Sequence, residues 1–300
     1  MKKGIYLALT TAVISGFSIF ASKIFVAKLD PIVFTTLKNL FVAVILTFVI
    51  LNRRHLQSIS KLNRQDILRL TLIGIIGGGI PFALFFTGLT MTSAATGAII
   101  HKTLFIWVAI LAYFFLKEKL KSVQIIGYIL IMASAIFIAK ITKFTLGDGE
   151  LMILGATILW AIENVIAKRT LKNVSSELVA WARMTVGSIV VFSVVIFQGK
   201  SIVITGLSQE QIISVLIGGI LLTAYVLTWY KALSYAPASL VAVILTLSTL
   251  ITSSLSAMFI THNFPVTDFA SNALLIVGIT LIIYLSIQDK IAKKVTSYKL

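Results

Sequence analysis

Ten stretches of roughly twenty mostly apolar residues follow one another along this 300-residue chain, and nothing else in the sequence constrains its fold as much. They lie near 4–26, 31–51, 67–89, 94–116, 122–141, 149–168, 177–198, 209–233, 238–260 and 267–288. A helix needs about 20 such residues to cross a hydrocarbon core of about 30 Å. In lipid only helices and closed barrels satisfy every backbone N–H and C=O, and runs that are continuous rather than alternating select helices. Composition rules out a soluble helical core. The chain is 58% hydrophobic and 12% charged, where a soluble domain carries roughly 45–50% and about 25%. The expected fold is therefore an all-α polytopic membrane protein with about ten transmembrane helices. Its longest connection, 52–66, is basic and polar and too short for a soluble domain. Met1-Lys2-Lys3 before an apolar stretch resembles a signal peptide, but the stretch continues to Val26, longer than such a peptide's apolar region.

The net charge is +16, from 26 Lys+Arg against 10 Asp+Glu. Of these basic residues, 18 fall on segments that share a face with the two termini and five on the opposite face. Lys38, Lys102 and Arg183 fall within spans. Such a bias is the mark of a multi-pass chain in the cell membrane with both termini cytoplasmic, and it requires an even number of spans. It also assigns the charge to topology and anionic headgroups, so nucleic acid is not an expected partner. The chain has no cysteine, hence no disulfide, thiolate nucleophile or cysteine metal site. Three scattered histidines without an HExxH pattern add no metal site, and no cofactor is expected.

The landmarks repeat. Leu72-Ile73-Gly74 recurs as Leu216-Ile217-Gly218, an offset of 144 that also joins Leu89 to Leu233, Ala94 to Ala238 and Phe115 to Phe259. At 145, Lys23 meets Lys168 and Lys38 meets Arg183. The chain thus divides into five-helix units at 1–145 and 146–300. Five is odd, so the second unit enters the membrane from the opposite side. Inverted repeats of this kind recur in secondary transporters, with the substrate site near the midplane between the halves.

Several segments carry a family likeness. They include the run from Ser15 to Lys23, a basic residue at Lys38, and Phe86-Thr87-Gly88-Leu89-Thr90-Met91-Thr92-Ser93-Ala94. They also include the partner run from Tyr230 to Ser239, Leu116-Lys117-Glu118-Lys119-Leu120 followed by Gly127, and Leu159-Trp160-Ala161. Over nearly its whole length the chain resembles the drug/metabolite transporter superfamily, in particular proteins built from two EamA-type repeats. The resemblance implies a ten-helix exporter of amino acids, drugs or other metabolites. Two departures stand out. A proline that the family often carries inside helices 4 and 9 is absent, with Phe105 and Thr249 near those places, and the second-repeat glutamate is replaced by His262 in Thr261-His262-Asn263-Phe264-Pro265.

Ionisable groups inside spans are costly and usually face a cavity or a partner. Here they are Lys38, Lys102, Glu163 and Arg183, joined by His101. Glu163 and Arg183 lie roughly 8–9 Å deep at 1.5 Å per residue in adjacent antiparallel helices, which predicts an ion pair, structural or functional. Lys38 and Lys102 share no depth with a carboxylate, so they either snorkel or line a cavity favouring carboxylate- or phosphate-bearing substrates. Gly77-Gly78-Gly79 with Pro81 predicts a hinge, a discontinuous helix or tight packing. Gly218-Gly219 marks the equivalent place in the second half. Trp107, Trp160, Trp181, Trp229 and Tyr230 are read mainly as interfacial rings, with Trp160 and Trp107 deep enough to stack on a substrate.

A secondary carrier of a small molecule fits these features, since nothing resembles a nucleotide-binding loop. A membrane-embedded enzyme acting on lipid-soluble substrates is the alternative, but it needs a nucleophile with a base, or clustered carboxylates, and Glu163 alone supplies neither. An ion channel would need a filter-like loop or a charged ring, and neither is present in the sequence.

Overall fold

The computed structural model describes residues 1–26, 29–51, 59–139, 146–200, 202–263 and 266–297. Lys28, Arg53, Arg54, Lys140, Lys143 and Lys299 of the charge count, and Phe264 and Pro265 of the family pattern, lie outside these. The helices are α1 (Lys2–Phe25), α2 (Pro31–Ile50), α3 (Arg64–Leu89) and α4, in three pieces (Ala94–Lys102, Leu104–Leu111 and Ala112–Leu116). Then come α5 (Ser122–Ala139), α6 (Asp148–Thr170), α7 (Ser176–Phe197) and α8 (Gln209–Tyr235). Last are α9 (Ala238–Leu245, Ser248–Ser256 and Ala257–Thr261) and α10 (Val266–Ser297). Nine of these are long and apolar enough to cross a membrane among the described residues, and α5 is a tenth, apolar over Ser122–Phe137. An even number of crossings leaves both termini on one face.

The two halves match down to their irregularities. Both α4 and α9 end in a π turn, closed by Lys117 at φ 58° and His262 at φ 49°, an offset of 145. Both are also broken in the middle. Proline is not the cause. Thr103 Oγ1 donates to Ile100 O at 2.6 Å and Thr246 Oγ1 to Val243 O at 2.6 Å. A threonine bonding back to a carbonyl of the preceding turn bends a helix. The shared left-handed residue also registers His262 with Lys117, so the position equivalent to Glu118 is Asn263 rather than His262.

Packing repeats in the same way. α1 lies on α8 and α9, as α6 lies on α3 and α4; α2 lies on α7 and α8, as α7 lies on α2 and α3; α5 pairs with α10. Exchanging each helix for the one five places on returns the same set, the behaviour of a pseudo-two-fold axis. With five helices per half, that axis lies in the membrane plane.

In lipid the hydrophobic effect does little to join helices, so close approach of small residues matters more. Gly4 of α1 faces Ala236, and at offset 145 Gly149 of α6 faces Met91. α3 and α7 touch backbone to backbone at Gly78 and Gly187, and α5 and α10 at Gly127 and Gly278.

Candidate functional site

Pro81 shapes the site from inside α3. It has no N–H, so it cannot make the ordinary helical bond to the carbonyl four residues back, that of Gly77. The helix remains continuous and widens into a π turn over Gly74–Gly79, with Gly79 at φ −117° and ψ −91°. The Gly77 carbonyl, turned out of the helical ladder, accepts two side-chain bonds: Trp160 Nε1 from α6 at 2.9 Å and Arg183 Nη2 from α7 at 3.0 Å. A side chain at Gly77 would meet the stem of Glu163 and Arg183 Nε, so three helices converge on this residue.

Glu163, 2% exposed, accepts from Tyr230 Oη at 2.6 Å through Oε1. It forms no ion pair with Arg183 in this conformation: each charge has its own neutral partner, Tyr230 for one and Gly77 O for the other. These groups line a cavity of about 300 Å³ where the two halves meet, walled by α1, α3, α4, α6, α7, α8 and α9. One side is an aromatic cluster. His101 lies over Trp160 at 4.9 Å between centroids, and Phe85 reaches both rings at 5.4 and 5.7 Å. Tyr225 and Trp229 of α8, on the same lining, stack on each other at 6.1 Å.

Three buried polar atoms on this lining have no partner: His101 Nδ1, Asn164 Oδ1 and Arg183 Nε. Buried polar groups in folded proteins are nearly always satisfied. Three exceptions on one cavity wall mark a place that a polar ligand or water completes. Its least exposed lining residues are Glu163, Asn164, Trp160 and Trp229, all under 8% exposed, and it reaches Ile19, 49% exposed, toward the far end of α1. The lining thus extends toward the face opposite the termini.

Of the expected site residues, His101, Trp160, Glu163 and Arg183 come together here, with Gly77 and Pro81 behind them. Gly78 and Gly79 face α7 instead, against Gly187 and Val190. Lys38 and Lys102 do not line the cavity. Lys38 Nζ sits over the Phe34 ring at 4.9 Å with its stem against Gly218 of α8. Lys102 borders a separate crevice shared by α4, α5, α9 and α10. The charged lining is thus one guanidinium and one carboxylate, not a cluster of cations. Sequence reasoning did not single out Asn164, Tyr225, Phe82 or Phe85, named Phe86 only within the family-like run, and read Trp229, here buried on the lining, as interfacial.

Trp160→Phe keeps the ring and removes the N–H that Gly77 O accepts. It is expected to cost about 1 kcal/mol, read as a lowered unfolding temperature in detergent, with the protein still monodisperse.

A ten-helix membrane protein in two pseudo-equivalent halves, with a largely aromatic cavity between them that holds a few unpartnered polar atoms, has the build of a transporter. The model of the EamA-like transporter family matches residues 2–140 and again 148–284, and the chain belongs to that family. It is 26% identical over 233 residues to an uncharacterized transporter of Clostridium kluyveri, covering 75% of this chain and 74% of that one. It is 25% identical over 262 residues to an uncharacterized inner membrane transporter of Escherichia coli K12, covering 83% and 78%. A solved crystal structure superposes with a TM-score of 0.82 over 96% of this chain and 99% of the other at 13% identity, a likeness of fold alone.

Proposed function

We propose that the chain is a secondary carrier that moves small metabolites bearing a carboxylate, amino acids above all, by alternating access. The observation that carries this reading is the set of unpartnered polar atoms on one cavity wall. Arg183 Nε is a donor that suits a carboxylate. Asn164 Oδ1 and the Glu163 carboxylate beside it are acceptors that suit an ammonium group. The aromatic cluster takes an apolar side chain. A lining with one charge of each sign favours a zwitterion over a permanent anion or cation, because each buried charge then finds its opposite. An enzyme finds no comparable support, since Glu163 is flanked by Tyr230 and Arg183 and no nucleophile–base pair stands on the lining.

Counterflow in proteoliposomes tests the proposal with a panel of amino acids, nucleosides and organic anions. Exchange of amino acids is expected. Exchange confined to compounds without a carboxylate would refute it.

The basic bias supports a cell-membrane carrier with cytoplasmic termini, and the cysteine-free chain makes that easy to check. A single cysteine at Lys290 is expected to react with an impermeant thiol reagent only after cells are opened. Labelling in intact cells would reverse the orientation.

A further inference from the structure

α9 begins at Ala238 after Pro237, which offers no capping side chain, so the first amides of the helix need an acceptor from elsewhere. That acceptor is Glu118, from the other half of the chain. Its carboxylate receives Ala238 N at 2.7 Å, Ser239 N at 3.1 Å and Ser239 Oγ at 2.5 Å. Beside it, Lys168 at the end of α6 donates to Leu233 O at 2.5 Å and Ala236 O at 2.8 Å, closing the C-terminus of α8. Each contact places a full charge on the complementary end of a helix dipole. Both lie on the face that carries the termini, away from the end of the cavity that reaches Ile19.

The opposite face is different at equivalent positions. Lys23, which matches Lys168 at offset 145, is exposed and has no hydrogen bond or ion pair among the described residues. Asn263, which matches Glu118, carries no charge. The α4 N-terminus is capped within its own turn by Ser93, which accepts from Thr96 N at 3.0 Å. One pair of charged clasps is engaged on the termini face, and its counterpart is open or missing on the face toward which the cavity extends.

We propose that Glu118 and Lys168 are the gate on the termini face: Glu118 holds α9 to the end of α4, Lys168 holds α8 to the end of α6, and both must release for the cavity to open there. The proposal rests on the alternating-access reading above. The gate is asymmetric, because Glu118 has no charged counterpart, so the resting carrier favours the state open to the face opposite the termini.

The absence of native cysteine allows a substrate-free test. Ser18→Cys places one thiol on the cavity lining, and an impermeant methanethiosulfonate reagent is applied to each face of oriented vesicles. In the Ser18→Cys chain, labelling is expected to be fast from the face opposite the termini and slow from the termini face. Glu118→Ala and, independently, Lys168→Met should each raise the termini-face rate by about tenfold, the order expected for losing a charged cap. Lys23→Met should leave that rate unchanged. If either clasp variant fails to fold, the other carries the test. A measurable termini-face rate that no folded clasp variant changes overturns the gate while leaving the carrier reading intact. No labelling from that face in the Ser18→Cys chain or any variant overturns the carrier reading itself. If neither clasp variant yields folded protein while Lys23→Met does, the contacts are structural and the gate is overturned.

Discussion

Gly78→Val should leave almost no folded protein. At Gly78 the backbones of α3 and α7 are in contact, and an added Cβ would meet the Arg183 carbonyl and, at 2.9 Å, the Gly187 Cα. Overpacking ordinarily costs about 1–3 kcal/mol because neighbouring side chains can move aside. Here the obstructing atoms are backbone, with no rotamer to adopt, so the cost is expected to exceed about 4 kcal/mol. Relief would need α3 and α7 to separate, which would also pull the Gly77 carbonyl away from Arg183. The expected readout is loss of the monodisperse peak in detergent, with Gly187→Val behaving alike. Gly155, in α6, has nothing within 4 Å of the position a Cβ would take. Gly155→Ala should therefore be neutral or slightly stabilising, since alanine favours a helix over glycine by about 1 kcal/mol. A Gly78→Val protein that melts with the parent would mean that the two helices do not touch there.

How much of this was legible in the sequence depends on the kind of signal. Spans come from hydropathy, and their ends agree with the helices within a few residues, apart from α10, which continues to Ser297. The breaks at Thr103 and Thr246 carry no hydropathy signal, because a threonine hydroxyl bonding back within its own helix leaves the apolar run intact. Depth was readable and direction was not. Lys38 and Arg183 match at offset 145, yet Lys38 packs on Gly218 while Arg183 reaches Gly77, where Pro81 has freed a carbonyl. α8 has no proline near Gly218, so the second half has nothing equivalent to bond. Glu118 was visible only as part of a loop pattern. Its role depends on an uncapped helix that starts 120 residues later, a relation no local window contains.

Arg183→Gln is expected to remove the preference for substrates with a carboxylate, and this follows from how its guanidinium is divided. One edge is fixed by Gly77 O at 3.0 Å, and Nε, buried and unpartnered, faces the space next to Glu163. Anchored on one side and unfilled on the other, the group is held ready for a second acceptor without further loss of rotamer freedom. An amino acid and the amine left by removing its carboxylate differ only in that acceptor. Losing one partner of a buried charged contact costs about 2–5 kcal/mol, so the parent should favour the amino acid by about a hundredfold in competitive counterflow. In Arg183→Gln the ratio should fall to near one, mainly through weaker binding of the amino acid. Arg183→Lys should not restore it, because an ammonium cannot hold Gly77 O and a carboxylate in one plane as the guanidinium does. Folding is checked separately by the unfolding temperature, which Trp160 at the same carbonyl helps to sustain. If Arg183→Gln transports both compounds with the parent's ratio, the guanidinium is a structural bolt on Gly77 and the carboxylate is recognised elsewhere.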